Sequence, residues 1–228
     1  MAQPTARTEA KTEYGRFVTF EGGEGAGKST QMKRLAERLN EIGYRVVTTR
    51  EPGGSQGAEV LRHVLLSGAV EPLGPKMEAT LFAAARADHV DQVIRPALVS
   101  GAWVLCDRFA DSTRVYQGVD GAVSPGMIEL LERVALDGVR PDITLLLDVP
   151  AEVGLERAAR RRAPGERADR FEKDTLALHR RRREAFLSLA RAEPNRFVVV
   201  DATLSADGVE TAIWLAVAGR LALASKGG

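Results

Sequence analysis

Five short apolar runs punctuate the chain, and stretches of helical periodicity lie between them. The runs are Phe17-Val18-Thr19-Phe20, Tyr44 to Thr49, Trp103-Val104-Leu105-Cys106, Ile143 to Leu147, and Phe197-Val198-Val199-Val200. Four of them are continuous rather than alternating, the pattern of strands covered on both faces of a parallel sheet. After the first run, Met32, Leu35, Ala36 and Leu39 recur at helical spacing, with Lys33, Arg34, Glu37 and Arg38 on the opposite face. Similar patterns predict helices over 56–66, from Met77 through Val93, from Pro125, from Ala151, over about 172–191, and from Ala206 to about Leu223. Gly68–Pro75 reads as a polar break and Ser112–Gly121 as a loop. The alternation predicts an α/β fold of three layers, a five-stranded parallel sheet flanked by helices. Ligands of such sheets gather beyond the carboxyl ends of the strands. The residues to inspect are therefore Glu21, Arg50-Glu51, Asp107-Arg108, Asp148 and Asp201.

Composition narrows the picture without redrawing it. At 228 residues the chain suits one domain over residues 14–228, behind a polar tail, 1–13, expected to be disordered. A formal charge of +1 gives no global field for nucleic acid or an acidic membrane. The apolar runs are too short to span a bilayer. One cysteine, Cys106, excludes an internal disulfide and suits a reducing compartment, so a cytoplasmic location is expected. In a buried strand Cys106 reads as core. No Cys/His cluster suggests zinc. His63 and His89 read as surface or packing residues on helices, and His179 adjoins a basic helix.

The chemistry enters directly after the first run, with Gly22-Gly23-Glu24-Gly25-Ala26-Gly27-Lys28-Ser29. This fits Gly-x-x-x-x-Gly-Lys-[Ser/Thr], the phosphate-binding P-loop, and its position between a strand and a helix is the context the motif requires. Backbone N–H groups of the curled loop and the positive end of the following helix converge on phosphate oxygens. Lys28 is placed to reach the β- and γ-phosphates, and the Ser29 hydroxyl to ligate Mg²⁺ bound with ATP. A second carboxylate on a neighbouring strand completes such sites, and Asp107, Asp148 and Asp201 all qualify by position. Asp107 has the advantage of Arg108 beside it, a metal-side carboxylate next to a phosphate clamp.

Between Arg157 and Arg183 stand ten arginines and one lysine against four acidic residues. No aromatics interleave them for base stacking, which argues against nucleic acid. Arg180 to Arg183 read as a solvated helix surface. Arg160, Arg161, Arg162 and Arg167 surround Pro164-Gly165 and read as a mobile lid, at about 159–170, that sets arginines on the transferring phosphoryl group.

Several stretches together resemble the bacterial thymidylate kinases (dTMP kinases) among the nucleoside-monophosphate kinases. They are Phe20 to Thr30, Thr49-Arg50-Glu51-Pro52-Gly53-Gly54, Leu81 to Arg86, Asp107-Arg108-Phe109, Ser112-Thr113, Tyr116-Gln117-Gly118, and Pro141 to Asp148. They occur in the family's order and cover nearly everything from Arg16 to Asp201. The resemblance implies a P-loop NTPase fold, phosphoryl transfer from ATP to thymidine 5′-monophosphate giving dTDP and ADP in dTTP biosynthesis, and a homodimer. It places ATP on Gly22 through Thr30. It implies that Phe82 stacks on the thymine ring, that Arg86 and Thr113 read the base edge, and that Tyr116 stands against the deoxyribose. Gln117 joins the substrate set, Glu24 approaches the acceptor's 3′-hydroxyl, and Arg108 with Arg50 holds its phosphate. Asp107 and Glu21 become the carboxylates near Mg²⁺. The P-loop carries no arginine, so the catalytic arginine falls to the lid, as in the bacterial arrangement. Other readings are a kinase for another nucleoside monophosphate, a nucleotide switch, or a nucleic-acid-binding ATPase. The Asn-Lys-x-Asp expected of a guanine switch is absent.

Overall fold

The computed structural model describes residues 14–120, 123–161, 171, 174–221 and 223. The chain order is β1 (Phe17–Glu21), α1 (Lys28–Glu41), β2 (Val46–Arg50), α2 (Gln56–Leu66), α3 (Pro75–His89), α4 (Arg95–Val99), β3 (Trp103–Asp107), α5 (Ala110–Thr113), α6 (Pro125–Leu136), β4 (Ile143–Asp148), α7 (Ala151–Arg161), α8 (Leu176–Ala192), β5 (Phe197–Asp201) and α9 (Ala206–Leu221). The five strands form one parallel sheet in the order β2-β3-β1-β4-β5. From β1 the chain first builds toward β2 and β3, then crosses to β4 and β5. Register aligns the strand ends, with Phe20 opposite Asp107, Arg50 opposite Asp107, and Asp148 opposite Asp201. The carboxyl edge thus assembles the predicted residues in one row.

The three inner strands are buried along almost their whole length, as continuous apolar runs require, whereas the edge strands β2 and β5 are partly exposed. One core layer packs Leu35 and Leu39 of α1 and Val209, Ile213 and Val217 of α9 against Val18, Leu105 and Leu145. On the other face Phe17, Val104 and Phe109 meet Val90, Ile94 and Leu98. Burying several such side chains, each worth roughly 1.5–3 kcal/mol, outweighs the weak local propensities of these short strands.

Two elements depart from the sequence pattern. The helix expected from Met77 through Val93 widens into a π turn over Val90–Ile94. Pro96 follows, and a proline lacks the N–H and crowds the carbonyl four residues back, so the helix widens before it. The expected loop from Ser112 is instead the end of α5 followed by a second π turn, Arg114–Asp120. Val115, Tyr116 and Gln117 within it are buried. Packing of these side chains overrides the turn-like composition. The polar break at Gly68–Pro75 holds a single 3₁₀ turn, Glu71–Leu73.

Candidate active site

The loop after β1 is shaped by glycines where other residues would not fit. Gly22 has φ +135°, and a Cβ there would lie 2.4 Å from the Leu147 carbonyl oxygen. Gly25 has φ +66°, and a Cβ would fall 1.9 Å from the Gly154 oxygen. The loop therefore packs directly on β4 and α7 through bare backbone. It delivers the chain to α1, whose N-terminus has no side-chain cap, leaving its first N–H groups for an anion. Lys28 folds back into the loop and donates to the oxygens of Gly22 and Gly23 at 3.1 and 2.9 Å. Burial pushes its ammonium pKa down, and the Arg108 charge adds to this. Thr30 is exposed in the first helical turn.

Beside the loop, Ser29 Oγ donates to Asp107 Oδ2 at 2.5 Å. The other two candidate carboxylates are engaged elsewhere. Asp148 accepts from Arg183 at 2.6 and 2.8 Å, and Asp201 accepts from its neighbour Thr203. Of the three, Asp107 is the one whose carboxylate meets the P-loop. A hydroxyl and a carboxylate meeting at the mouth of a P-loop are hard oxygen ligands suited to Mg²⁺.

Arg108 follows at φ 68°, a left-handed conformation that costs a non-glycine residue on the order of 1 kcal/mol or more. The turn aims its guanidinium at Glu24 (2.5 Å) and the Gly22 oxygen (3.2 Å), and over the Tyr116 ring at 5.3 Å. Glu21, fully buried, holds the same turn: it accepts from the Phe109 and Ser112 N–H groups and the Ser112 hydroxyl at 2.8, 3.2 and 2.7 Å. Burial and then the Asp111 charge push its carboxyl up to about 7, against the pull of Arg108 and these hydrogen bonds. Glu24 goes the other way. Burial opposes its ionisation, but Arg108 and Lys28 more than offset it and hold the carboxyl at about 2. Tyr116 O–H also reaches Glu24, at 3.3 Å.

Most of these groups, though not the buried Glu21, line one open cleft. Glu24 through Ser29, Asp107 and Arg108 occupy its walls together with Arg50, Phe82, Arg86, Thr113, Tyr116 and Gln117. The structure thus brings the P-loop and the expected substrate residues into a single space. Arg50 is exposed and pairs with Glu59 at 3.1 Å. Arg86, by contrast, is buried: Nε donates to Glu51 at 2.7 Å, and Nη2 to the Phe109 oxygen and Thr113 Oγ1 at 3.1 Å each. Gln117 donates to Glu78 at 2.6 Å. Of the lid arginines, Arg161 lines the cleft, while Arg160 pairs with Glu156 on the outer surface of α7. Arg162 and Arg167, with the remainder of the expected lid, lie outside the described residues, as does the tail 1–13.

The arginine-dense helix corrects one expectation. Arg180 is exposed, but Arg182 is 4% exposed, paired with Asp174 at 2.6 Å and stacked over Tyr116 at 4.3 Å. Arg183 is the partner of Asp148. A four-arginine run must turn part of itself inward, because His179, Arg182, Phe186 and Ala190 share one helix face. The spacing of Arg182 from Phe186 was the available signal. Glu51, one of the strand-end residues to inspect, also lines the cleft, as do Pro52, Arg62, Leu66 and Phe171, which were not singled out as site residues. His89 is a packing residue, as expected, yet fully buried and hydrogen-bonded.

Comparison with known proteins agrees with this geometry. The family description "Thymidylate kinase" matches residues 20–213. The chain is 55% identical over 217 residues to the thymidylate kinase of Nitrobacter winogradskyi, covering 95% of this chain and 93% of that one. It is 58% identical over 207 residues to that of Bradyrhizobium sp. (strain ORS 278), with 91% of each chain covered. The crystal structure of thymidylate kinase from Ehrlichia chaffeensis superposes with a TM-score of 0.70 at 32% identity, covering 90% of this chain and 98% of that one. Sequence, fold and cleft converge: this chain belongs to the thymidylate kinase family.

Proposed function

We propose that the two ends of the cleft divide the family's reaction between them, with ATP on the P-loop and dTMP between Arg108 and Phe82. The reaction itself follows from family membership: the enzyme phosphorylates dTMP to dTDP with ATP. The observation that carries the assignment of roles is the common lining of one cleft by Gly25 through Ser29, Arg108, Phe82, Arg86 and Tyr116.

At the phosphate end, N–H groups of residues 22–30 and the Lys28 ammonium hold the ATP phosphates. Lys28 then leaves the Gly22 and Gly23 oxygens it now meets. Ser29 and Asp107 hold Mg²⁺, which when bound supplies charge neutralisation between the phosphates. Glu21, expected near Mg²⁺, is instead fully buried with its oxygens committed to Phe109 and Ser112, and its role becomes that of fixing the turn that presents Arg108. Arg108 and Arg50 hold the acceptor phosphate, offsetting repulsion between two polyanions that must align. Arg161, with Arg162 and Arg167, is assigned to stabilise charge on the transferring group.

At the base end, Phe82 supplies a stacking face. Arg86 and Thr113 read the pyrimidine edge and Gln117 supports them. Tyr116 closes against the sugar where a 2′-hydroxyl would clash, and Glu24 accepts from the 3′-hydroxyl. An ionised Glu24 suits that task, since only the carboxylate is purely an acceptor.

A homodimer belongs to the same reading. Val60 and Val64 on α2, Met77 on α3, and Leu130 and Val134 on α6 are exposed apolar residues, which supports a surface covered by a second copy. Sedimentation velocity tests it: a species near twice 24.6 kDa is expected, and a monomer at all concentrations contradicts it. No helix among the described residues is long and apolar enough to cross a membrane. A cytoplasmic role in dTTP biosynthesis completes the proposal.

The metal assignment is tested by ADP release with ATP, dTMP and graded Mg²⁺. Asp107→Asn should raise the half-saturating Mg²⁺ concentration about tenfold or more. An unchanged Mg²⁺ requirement would remove Asp107 from the site.

A further inference from the structure

His89 is fully buried and stands one helical turn beyond Arg86 on α3. Its Nδ1 is 3.0 Å from Glu51 Oε1, and its Nε2 is 2.7 Å from Thr49 Oγ1. The other oxygen of Glu51 accepts from Arg86 Nε at 2.7 Å. A continuous polar chain therefore runs from Thr49 at the end of β2 through His89, Glu51 and Arg86 to Thr113 in the cleft wall. The carboxylate at Nδ1 requires an N–H there, and the Thr49 hydroxyl, which can accept or donate, satisfies Nε2. The turn after β2 is built around this ring. Gly54, at φ +92°, leaves space that a Cβ would fill, 2.4 Å from both His89 Nε2 and Thr49 Oγ1.

A buried ion pair has no fixed geometry of its own. It is oriented by the hydrogen bonds that satisfy its remaining lone pairs. In the Arg86–Glu51 pair the remaining oxygen is Oε1, and His89 is what meets it. Without that anchor the Glu51 carboxylate can rotate and the long Arg86 side chain can follow it.

We propose that His89 is a positioning residue for nucleotide selection: it clamps Glu51 and thereby holds the Arg86 guanidinium in the orientation that meets the pyrimidine. The inference rests on the reading of Arg86 as the base reader. It assigns to a side chain outside the cleft a share of the affinity for dTMP and none of the affinity for ATP.

Two substitutions of similar chemistry separate positioning from packing. In His89→Asn the amide nitrogen takes the place of Nδ1 and still donates to Glu51, while the Thr49 contact is lost. In His89→Gln the amide reaches the Nε2 position and the Glu51 contact is lost. His89→Gln should raise KM for dTMP about tenfold, with kcat and KM for ATP within about twofold of wild type. His89→Asn should stay within about threefold of wild type for all three. A purely structural role predicts the opposite order, since Asn leaves the larger cavity. KM for dTMP rising as much in His89→Asn as in His89→Gln, or KM for ATP rising in parallel, overturns the proposal. Should either variant fail to fold, Thr49→Val decides, because it leaves the Glu51 contact in place. KM for dTMP should then change by less than about threefold, and a tenfold rise overturns the proposal. Arg86→Ala is measured alongside. An unchanged KM for dTMP in that variant overturns the base-reading role and the His89 role with it. A raised KM there, with none in His89→Gln, overturns the His89 role alone.

Discussion

The two ends of the cleft, assigned above to phosphates and to the base, are built in opposite ways. At the phosphate end stand backbone N–H donors and side chains held by the loop or by one another: Lys28, itself buried, bonded to its own loop, Ser29 against Asp107, Arg108 against Glu24. Each holds a provisional partner that an incoming phosphate or metal ion can replace. At the base end Arg86 is 3% exposed and tied to Glu51, Phe109 and Thr113, all of which belong to the fold itself. A site for mobile anions needs donors that can exchange partners. A site that tells one base from another needs a donor that cannot turn. The difference predicts that changes at the first end fall mainly on kcat and changes at the second mainly on KM for dTMP.

The largest break should come from Lys28→Ala, which removes the ammonium assigned above to the ATP phosphates. A kcat lowered on the order of a thousandfold is expected, with KM for dTMP within about threefold, both read from ADP release. Next stands Arg108→Ala. It removes the proposed acceptor phosphate clamp and leaves Glu24 without its Arg108 ion pair. A loss of about a hundredfold in kcat/KM for dTMP follows, and full activity in this variant would dissolve the division between the ends. At the other end Phe82→Ala should raise KM for dTMP about tenfold while kcat holds within about twofold. The lid gives a comparison within one helix. Arg161→Ala should lower kcat about tenfold, whereas Arg160→Ala, already paired with Glu156, should change it less than about twofold.

The smallest effect is on stability, and it has a sign. Glu24 is held at about 2 in the folded chain against an ordinary value of 4.5. A depressed carboxylate stabilises the fold above its unfolded pKa, and this contribution is lost as pH falls from about 4.5 toward 2. Up to about 3 kcal/mol is involved. Urea unfolding without ligand at pH 7, 5, 4 and 3 should therefore show wild type losing stability toward acid more steeply than Glu24→Gln. Parallel curves would mean that the Arg108–Glu24 pair does not carry the shift.

The two ends also differed in how far the chain alone betrayed them. The P-loop is local: eight consecutive residues fix its glycines, its lysine and its helix start, and the structure kept every one in place. Strand-ending carboxylates were legible as a set, but what sets Asp107 apart from Asp148 and Asp201 is the side-chain partner of each: Ser29 of the P-loop for Asp107, Arg183 for Asp148 and Thr203 for Asp201. Phe82, Arg86, Thr113 and Tyr116 were named through the family resemblance, since residues this far apart share a cleft only after folding. What no local pattern carried was the support behind them. Glu51 stood among the strand-end residues to inspect but with no role, His89 read as a surface or packing residue, and Arg182 as surface charge. Each became visible only when a partner from another element arrived. The π turn over Arg114–Asp120 was missed for the same reason, because burial of Val115, Tyr116 and Gln117 outweighs the composition of the segment.

The claim that the base end selects and the phosphate end transfers is tested most directly by kcat/KM for dTMP, dUMP, UMP, dCMP, dAMP and dGMP with saturating ATP and Mg²⁺. The geometry predicts dTMP first, dUMP lower by about tenfold for its missing methyl, UMP lower by about a hundredfold or more, and no measurable turnover of the purines. A purine or a ribonucleotide turned over within about twofold of dTMP would contradict it, because Phe82, Arg86 and Tyr116 would then be walls of the cleft and not its readers.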